Sequence, residues 1–382
     1  MAAEELKITP RTVRRLFRKF AQRGNQAIAP QYGRCGSRQS RGTRRELLDE
    51  AFRLRQQHPT WGAPLIRIQM QHAHPRRPLP SPRTLQRWFE KQALPAAPPG
   101  RRPVLAIAPA ERPHEVWQMD AVEKTPLATG QGISWLRIVD ERSGAVLDTK
   151  VFPQNSFASV GAWTVQTQLR RVFSRWGRPQ RFRVDNGTPW GSCGDFPTDL
   201  ALWLIGLDII VIWNPPCQPQ KNGKVERSQG VGKAWAEPWT CRSVSELQQR
   251  LREVDHLQRE EYPHLDGHSR SFVYPELKHS TRDYDNAWER RHWSLDLVLE
   301  HLAQYMAPRR VDMSGKISLY GQNYYVGKQH QGKIVSVMLD PLAGRWVILD
   351  DDGCELRSHP AEQLTRERIV SLNVTHRRPK PR

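Results

Sequence analysis

A proline-rich segment divides this 382-residue sequence into two parts with different patterns. Residues 94–113 contain six prolines and show neither helical nor strand periodicity. Proline fixes the backbone angle φ and lacks an N–H donor, so the segment is expected to be an extended and fairly stiff linker. Helical patterns precede it, and mixed strand and helix patterns follow it. The chain is therefore expected to form several domains.

The excess positive charge lies before the linker. Residues 1–113 carry 23 Lys and Arg against seven Asp and Glu, which is +16 of the total +20. A solvated charged surface could account for this, but the cations alternate with apolar positions in a helical pattern. That combination favours folded modules that bind the phosphates of nucleic acid, with an affinity that falls steeply as salt rises.

Several other classes of protein fit the composition poorly. No apolar run approaches the ~18 residues of a membrane span, and the N-terminus lacks the apolar stretch of a secretory signal. The five cysteines are scattered and form no CxxC pair, which disfavours a disulfide scaffold or a Cys-rich zinc module. We expect a soluble, intracellular and basic protein.

Two basic segments before the linker share one pattern. TPRTVRRLF (9–17) and SPRTLQRWF (81–89) both begin with a hydroxyl residue and a proline, which suit the N-cap and first turn of a helix. Apolar residues then recur at helical spacing, and arginines occupy the other face. This is typical of the recognition helix of a helix-turn-helix, although an ordinary surface helix could show it too. The expected DNA contacts are Arg11, Thr12, Arg14, Arg15, Arg18, Arg83, Thr84 and Arg87.

The pattern after the linker alternates between strands and helices. Segments in the order strand, hairpin, helix, strand, helix, strand and helix predict a mixed sheet flanked by helices. One amphipathic helix is expected over 286–306. Short strands separated by Gly-containing turns follow it, and they predict a small antiparallel barrel or sandwich.

The expected fold class is multi-domain, with N-terminal all-α helix-turn-helix modules, an α/β core built on a mixed sheet, and a small C-terminal β-barrel. The predicted boundaries are 1–42 and 43–94 for the two helix-turn-helix regions, 95–113 for the linker, 114–265 for the core, 266–306 for a helical connector, 307–360 for the barrel and 361–382 for a basic tail.

Three acidic residues lie where strands end or a helix begins. Asp120 ends VWQMD, Asp185 ends FRVD, and Glu226 lies early in a predicted helix. The carboxyl ends of strands are the usual place for a site in an open α/β sheet. Oxygen ligands with no neighbouring His or Cys suit Mg²⁺ or Mn²⁺. Two such ions can hold the attacking and leaving oxygens of phosphoryl transfer.

Each of these acids also has an ordinary structural explanation. Asp120 could cap a turn, Asp185 could belong to an Asp-Asn-Gly turn, and Glu226 could pair with a neighbouring cation. Spacing alone does not select these three over the other acids of the same region, which are Asp140, Asp148, Asp195 and Asp199.

Three sequence blocks resemble those of the DDE transposase and retroviral-integrase family. They are VWQMD, RVDNGTPW and PPCQPQKNGKVERSQG, in that order, with 64 residues between Asp120 and Asp185 and 40 between Asp185 and Glu226. The likeness is strongest to bacterial insertion-sequence transposases with an integrase core. It covers 114–240 most clearly, and it extends to the helices before that range and the small β-domain after it.

The resemblance implies an RNase H-like core and a DNA transposase. Asp120, Asp185 and Glu226 match the three catalytic metal ligands, which hold two Mg²⁺ or Mn²⁺ ions in the family. The implied reaction is hydrolysis that exposes a 3′-OH at the element end, followed by attack of that 3′-OH on target DNA. A homo-oligomer, a dimer or tetramer on double-stranded transposon-end and target DNA, is the implied working unit. Asn186, Asn222, Lys224 and Arg227 fall in segments that lie near DNA in relatives.

The sequence departs from the family pattern in places. The second gap is longer than the one common in integrases, and Cys217 and Gln218 replace commoner residues. Neither change touches the three acids, so an active enzyme is expected. The alternative is a DNA-binding subunit of a transposition complex that is inactive or depends on an accessory protein. A separate ATPase could be such a partner, because no GxxxxGK[ST] motif occurs in this chain.

Overall fold

The protein is described by a computed structural model over residues 9–24, 41–58, 61–92, 110–153, 161–185, 190, 196–214, 222–350 and 353–375. The chain divides into two compact units, Met1–Gln57 and His58–Arg382. Of the predicted linker only 110–113 fall within the described ranges. No helix in these ranges combines the length and the apolar character needed to cross a bilayer.

The first unit contains helix α1 (Pro10–Arg23), which the pattern of TPRTVRRLF predicts, and helix α2 (Arg41–Gln57). Thr9 caps α1, since its Oγ1 accepts the N–H of Thr12 at 3.3 Å. Helix α1 ends at Gly24, whose φ of 66° suits glycine. Its aromatic residues stay outside the core, with Phe17 70% exposed and Phe20 43% exposed.

The second unit begins with helices α3 (Ala63–Ala73) and α4 (Pro82–Lys91), of which α4 matches the pattern of SPRTLQRWF. Helix α3 joins the main body of the unit, because Leu65 and Ile68 pack against Leu257. The division between the two units at Gln57 and His58 lies inside the range 43–94 that was predicted as one domain.

A five-stranded mixed sheet forms the centre of the second unit. Its strands are β1 (Val116–Pro126), β2 (Gly132–Asp140), β3 (Val146–Pro153), β4 (Arg181–Val184) and β5 (Ile210–Trp213). The order is β3-β2-β1-β4-β5, with β1–β2 and β2–β3 antiparallel and β1–β4 and β4–β5 parallel. The predicted mixed sheet is therefore confirmed, and it is consistent with an RNase H-like core.

Four helices cover the two faces of this sheet: α5 (Ala162–Trp176), α6 (Asp199–Gly206), α7 (Gly223–Ala236) and α8 (Val244–Glu260). Side chains alternate across a strand, so Leu136 and Ile138 of β2 pack in one apolar cluster with residues of α5 and α6. Trp135 lies in a second cluster with Leu247 and Leu251 of α8. The faces of β1 are divided in the same way, and its even-numbered residues 118 and 120 lie toward α7.

The predicted single helix over 286–306 is wrong. Helix α9 (Arg270–Val273) is followed by two helices, α10 (Asn286–His292) and α11 (Leu295–Leu302), that are separated at Trp293. Trp293 is buried and adopts an extended conformation with ψ 124°, and its indole N–H donates to the carbonyl of Trp203 at 3.0 Å. Ser294 then caps α11 by accepting the N–H of Leu297 at 3.3 Å. Burial of the tryptophan requires the break.

The C-terminal region forms two antiparallel sheets. Strands β6 (Ala307–Arg310), β9 (Ile334–Asp340), β10 (Arg345–Leu349) and β11 (Glu355–Pro360) make one, and β7 (Lys316–Leu319) with β8 (Gln322–Tyr325) makes the other. The antiparallel arrangement is confirmed. Closure into a single barrel is not observed among the described strands.

The predicted basic tail over 361–382 is wrong for 361–375. Helix α12 (Arg366–Val370) lies within it, and both Ile369 and Val374 are fully buried. The N–H of Val374 donates to Asp199 Oδ2 at 3.0 Å, which ties the segment to α6. Apolar residues every few positions offset the basic composition that suggested a tail. Residues 376–382 lie outside the described ranges.

Candidate active site

Parallel strand pairing brings the first two acids side by side. Gln118 of β1 pairs with Arg183 of β4. The pairing of β1 with β4 ends at that pair. Asp120 lies two residues further on, inside β1 and not at a strand end as predicted, and Asp185 lies two residues further on, just after β4. Because side chains alternate in a strand, both point to the face that carries Gln118 and Arg183. Neighbouring strands lie roughly 4.8 Å apart, so the two carboxylates lie near the same end of the paired segment of β1 and β4.

Helix α7 carries the third acid and packs against the same part of β1. The N–H of Val225 donates to Gln118 Oε1 at 3.1 Å, and Gln229 Nε2 donates to the carbonyl of Asp120 at 3.2 Å. These two bonds hold the first turns of α7 against β1. Glu226 lies between the two anchoring residues, one turn from Gln229, and therefore on the side of α7 that faces the strand.

A buried polar network holds Gln118 and Arg183 in place. Gln118 Nε2 and Arg183 Nε both donate to Glu141 Oε2, each at 2.9 Å. The ammonium group of Lys224 donates to the carbonyl of Glu141. The sequence interpretation did not select Gln118, Glu141 or Arg183. The available signal was position, because Gln118 and Arg183 precede the two aspartates by one strand repeat on the same face.

Electrostatics couple the three acids. Burial raises the pKa of Asp120 from its ordinary 3.8 to about 6, and the charges of Asp185 and Glu226 raise it further toward that value. Burial also raises the pKa of Glu226. Asp185 and Glu226 therefore lie near enough to Asp120 for their charges to act on its carboxyl group. The structure thus brings Asp120, Asp185 and Glu226 to one place.

The competing acids are occupied elsewhere in the fold. Asp140 accepts hydrogen bonds from the backbone and hydroxyl of Ser143 at 2.8 and 2.6 Å, and Asp148 accepts one from Gln168 at 2.7 Å. Asp199 holds the C-terminal segment, as described above. Asp195 lies outside the described residues. Local hydrogen bonds account for Asp140, Asp148 and Asp199.

The donor set fits a divalent cation in kind. Three carboxylates supply the hard oxygen ligands that Mg²⁺ and Mn²⁺ prefer. Burial, and after it the charges of Asp185 and Glu226, raise the pKa of Asp120, and a bound cation would favour its charged form. Over the described part of the chain, however, no group of three or more His, Cys, Asp and Glu side chains is already arranged to hold an ion. The three carboxylates therefore suit such ions by their chemistry.

The basic helices present their predicted arginines to solvent. Arg14, Arg15 and Arg18 are exposed on α1, and Arg83 and Arg87 are exposed on α4. Thr12 and Thr84 serve the caps, because their hydroxyls lie 2.9 and 3.0 Å from those of Thr9 and Ser81. The side chain of Arg11 and the whole of Asn186 lie outside the described residues.

The predicted contacts on α7 differ in exposure. Asn222 is 4% exposed, which makes it a buried residue at the start of the helix. Lys224 is half-buried, and burial lowers its pKa. Arg227 is exposed. Of these three, Arg227 has the most accessible side chain.

Comparison with known proteins gives the following likenesses. No protein-family model matches the chain. The catalytic core domain of BIV integrase is similar at 21% identity over 44% of this chain and 98% of that one, with a TM-score of 0.33. The HTLV-2 integrase catalytic core domain in complex with magnesium is similar at 17% identity over 43% and 98%, with a TM-score of 0.33.

A larger assembly is similar over more of the chain. It is the simian T-cell lymphotropic virus intasome in complex with PP2A regulatory subunit B56 gamma, at 16% identity over 81% of this chain and 96% of that one, with a TM-score of 0.37. Two of these descriptions name an integrase catalytic core domain, and the third names an intasome. Their TM-scores are below 0.5, so these likenesses by themselves decide neither fold nor activity.

Proposed function

We propose that this protein is a DNA transposase of the DDE type, a polynucleotidyl transferase that cuts and joins DNA strands at element ends. The observation that carries the proposal is the juxtaposition of Asp120 and Asp185 on neighbouring parallel strands, with Glu226 brought to them by α7. The three sequence blocks that resemble the transposase and integrase family contain these same acids. The sequence blocks and the packing of α7 on β1 both support this set of residues.

The three acids have one proposed task, which is to hold two Mg²⁺ or Mn²⁺ ions. When bound, such ions stabilise the negative charge on the attacking and leaving oxygens of phosphoryl transfer. Water would be the first nucleophile and the exposed 3′-OH the second, so no covalent bond to the protein is required. Gln118 and Gln229 are positioning residues, because they fix α7 and thereby Glu226.

DNA binding is proposed for the exposed arginines of α1 and α4. A base-edge or phosphate contact from each would place the element end, and affinity would depend steeply on salt. Asn186, Asn222, Lys224 and Arg227 are proposed to lie near the DNA end. A homo-oligomer on paired ends is the proposed working unit, and a separate ATPase remains a candidate partner.

The decisive experiment is a cleavage and joining assay. The full chain is incubated with duplex DNA of the element's terminal repeats and Mg²⁺, and nicked 3′ ends and joined products are scored. Asp120→Asn, Asp185→Asn and Glu226→Gln are each expected to abolish both steps while end binding stays near normal. Asp148→Asn is the matched control, because it alters a buried acid of the same sheet that already bonds Gln168.

Two outcomes would contradict the proposal. Wild-type joining by one of the three variants would remove that residue from the site. A wild-type chain that binds the ends but never nicks them in Mg²⁺ or Mn²⁺ would favour the alternative function, a DNA-binding subunit without chemistry. The lack of a ready metal arrangement over the described ranges is the observation on the side of that alternative.

DNA binding by α4 has its own test. Arg83→Ala with Arg87→Ala should weaken end binding roughly tenfold or more, since hydrogen bonds to charged groups contribute about 1.5–3 kcal/mol each. Arg345→Ala with Arg357→Ala, at exposed positions of β10 and β11, is the charge-matched control. Unchanged affinity of the α4 variant at moderate salt would show that this helix does not face DNA.

A further inference from the structure

A basic cavity of about 220 Å³ opens beside α7, away from the three acids. Lys224 and Arg227 line it from α7, Arg142 lines it from the turn between β2 and β3, and Arg270 lines it from α9. Tyr262 and His264, which follow α8, complete this side of the wall. Among the described residues that line the cavity, none is acidic.

The cavity and Glu226 lie on different faces of α7. Residues 224, 227, 228, 231 and 235 all line the cavity, and their spacing of three, four, seven and eleven places them on one side of a helix with 3.6 residues per turn. Glu226 and Gln229 lie on the side that faces β1. The cations of the cavity are therefore not the partners of the three acids.

Arg270 is held in place with an unused donor. Its Nη1 donates to the carbonyl of Gln258 at 2.9 Å, while its Nε is buried and makes no hydrogen bond within the described structure. Burial lowers its pKa, and only two tyrosines act against that shift. Burying a guanidinium without a neighbouring carboxylate costs folding free energy unless an anion binds to it.

The other two arginines of the cavity, Arg227 and Arg142, could bind the same anion as Arg270. Arg227 is exposed and forms no hydrogen bond or ion pair in the described part of the chain. The Arg142 guanidinium lies 5.9 Å from the centre of the Tyr274 ring, a contact that leaves its N–H donors free to bind. Several planar donor groups thus converge on one cavity, which is the arrangement that recognises phosphate oxygens.

We propose that this cavity binds a phosphate group. Its volume is below the roughly 300–1,000 Å³ of sites for drug-sized ligands, so it suits a single phosphate rather than a whole large cofactor. The phosphate could belong to the backbone of a nucleic acid or to a small phosphorylated molecule. This binding holds whether or not the three acids are catalytic, since it uses the opposite face of α7.

The test is calorimetric titration of the full chain with inorganic phosphate, at constant ionic strength against chloride. Arg227→Gln and Arg142→Gln should each weaken phosphate binding roughly tenfold, the loss of one charge-assisted contact. Arg270→Lys keeps the charge and removes the Nε donor, and it should also weaken binding. Lys233→Gln, which removes the same charge from α7 outside the cavity lining, should leave the affinity unchanged.

Two results would overturn the proposal. One is the absence of measurable phosphate binding by the wild-type chain, with DNA affinity equally unaffected by the cavity variants. The other is an equal loss of phosphate binding in the Lys233→Gln control, which would indicate general attraction by a basic surface rather than a site.

A second arm identifies where the phosphate comes from. The same variants are titrated with duplex DNA in the absence of divalent cations. Loss of both DNA and inorganic phosphate affinity would support a backbone phosphate as the ligand. Loss of inorganic phosphate affinity alone would support a small phosphorylated molecule. Neither result depends on strand cleavage, so failure here and failure of the transposase proposal are distinguishable.

Discussion

The two faces of helix α7 carry opposite charge. Toward β1, Glu226 joins Asp120 and Asp185 in a cluster where burial and mutual repulsion raise the pKa of Asp120 to about 6. Away from β1, Lys224 and Arg227 join two further arginines around a cavity whose described lining contains no acid. The two sets of charges do not neutralise each other, although each includes residues of the same fourteen-residue helix.

The difference shows that α7 separates unlike charges onto opposite faces. Pairing of Glu226 with Lys224 or Arg227 was the structural alternative considered from the sequence, but residues one or two positions apart do not face each other on a helix. The charge of each face is instead expected to be neutralised by a bound ion, a cation on the acidic face and an anion on the basic face. Four predictions follow from this separation, beginning with the largest expected effect.

Removing the ion pair that holds α7 should cost the most stability. Arg137 is fully buried, and it donates to the carbonyl of Ser228 on α7 at 2.6 Å and to Asp255 on α8 at 2.8 Å. Asp255→Asn removes the larger of the two acidic charges that act on this buried guanidinium and leaves only that of Asp148, which costs about 3–5 kcal/mol. Urea unfolding monitored by circular dichroism measures it. The exposed pair of Asp208 with Arg282 provides the control, since Asp208→Asn should cost about 1 kcal/mol or less. Equal losses would mean that α7 is not held by this pair.

Asp120→Asn should stabilise the metal-free protein at high pH. A folded pKa of about 6 against an ordinary 3.8 means that the folded state binds this proton more tightly, so stability falls as pH rises through that window. At about 1.4 kcal/mol per pH unit, the variant should gain up to about 3 kcal/mol at pH 8 and nothing below pH 4. Urea midpoints at the two pH values, with chelator present, measure this.

Asp312→Asn is the control of opposite sign. The N–H of Lys316 donates to Asp312 at 2.9 Å, and that bond leads the interactions that lower the pKa of this carboxyl. Its charge is therefore favourable in the folded state at pH 8, and the substitution should lower stability there. A gain in both variants at pH 8 would contradict the assignment of repulsion to the acidic face.

Divalent cations should stabilise the wild-type chain through the acidic face. Binding to the folded state alone adds about 2.7 kcal/mol at a ligand concentration a hundred times Kd. Thermal unfolding with Mg²⁺ or Mn²⁺, reversed by chelator, gives the measurement. Asp120→Asn should lose most of this effect while Arg227→Gln keeps it. An equal rise of Tm in both variants would place the cation elsewhere.

Two glycines of α7 provide the smallest and most local test. A Cβ on Gly232 would lie 2.6 Å from Arg137 Nη2, whereas one on Gly230 would meet nothing within 4 Å. Gly232→Ala must therefore displace a buried guanidinium, at about 1–3 kcal/mol. Gly230→Ala should gain about 0.5–1 kcal/mol of helix propensity. Denaturation midpoints of the pair measure how tightly Arg137 seats the helix, and a neutral Gly232→Ala would indicate that α7 can slide.

Two helices show how far local sequence goes. TPRTVRRLF and SPRTLQRWF form α1 and α4 with matching caps, in which Thr9 and Ser81 accept backbone N–H groups three residues later at 3.3 and 3.2 Å. Their burial differs, because α4 covers Leu85, Trp88 and Phe89, while Phe17 of α1 is 70% exposed. The pattern predicted both helices, and it could not predict which of them would find a partner surface.

The errors of the sequence interpretation have the same origin. The break at Trp293 follows from a tryptophan that must reach the core beside Trp203, and the ordered segment 361–375 follows from the contact of Val374 with Asp199. Periodicity and composition describe neighbours along the chain. Contacts across 90 or 175 positions, as these two are, leave no local trace.

By itself, the sequence determined most of the helices, the hairpin, the mixed character of the sheet and the three acids worth examining, because caps, periodicity and motif spacing act over a few residues. The tertiary structure alone decided that Asp140, Asp148 and Asp199 are occupied by hydrogen bonds, that Gln118, Glu141 and Arg183 support the site, and that four cations from three segments line one cavity. Strand register and helix seating bring together residues that are distant in the chain, and burial then decides which of their charges are compensated.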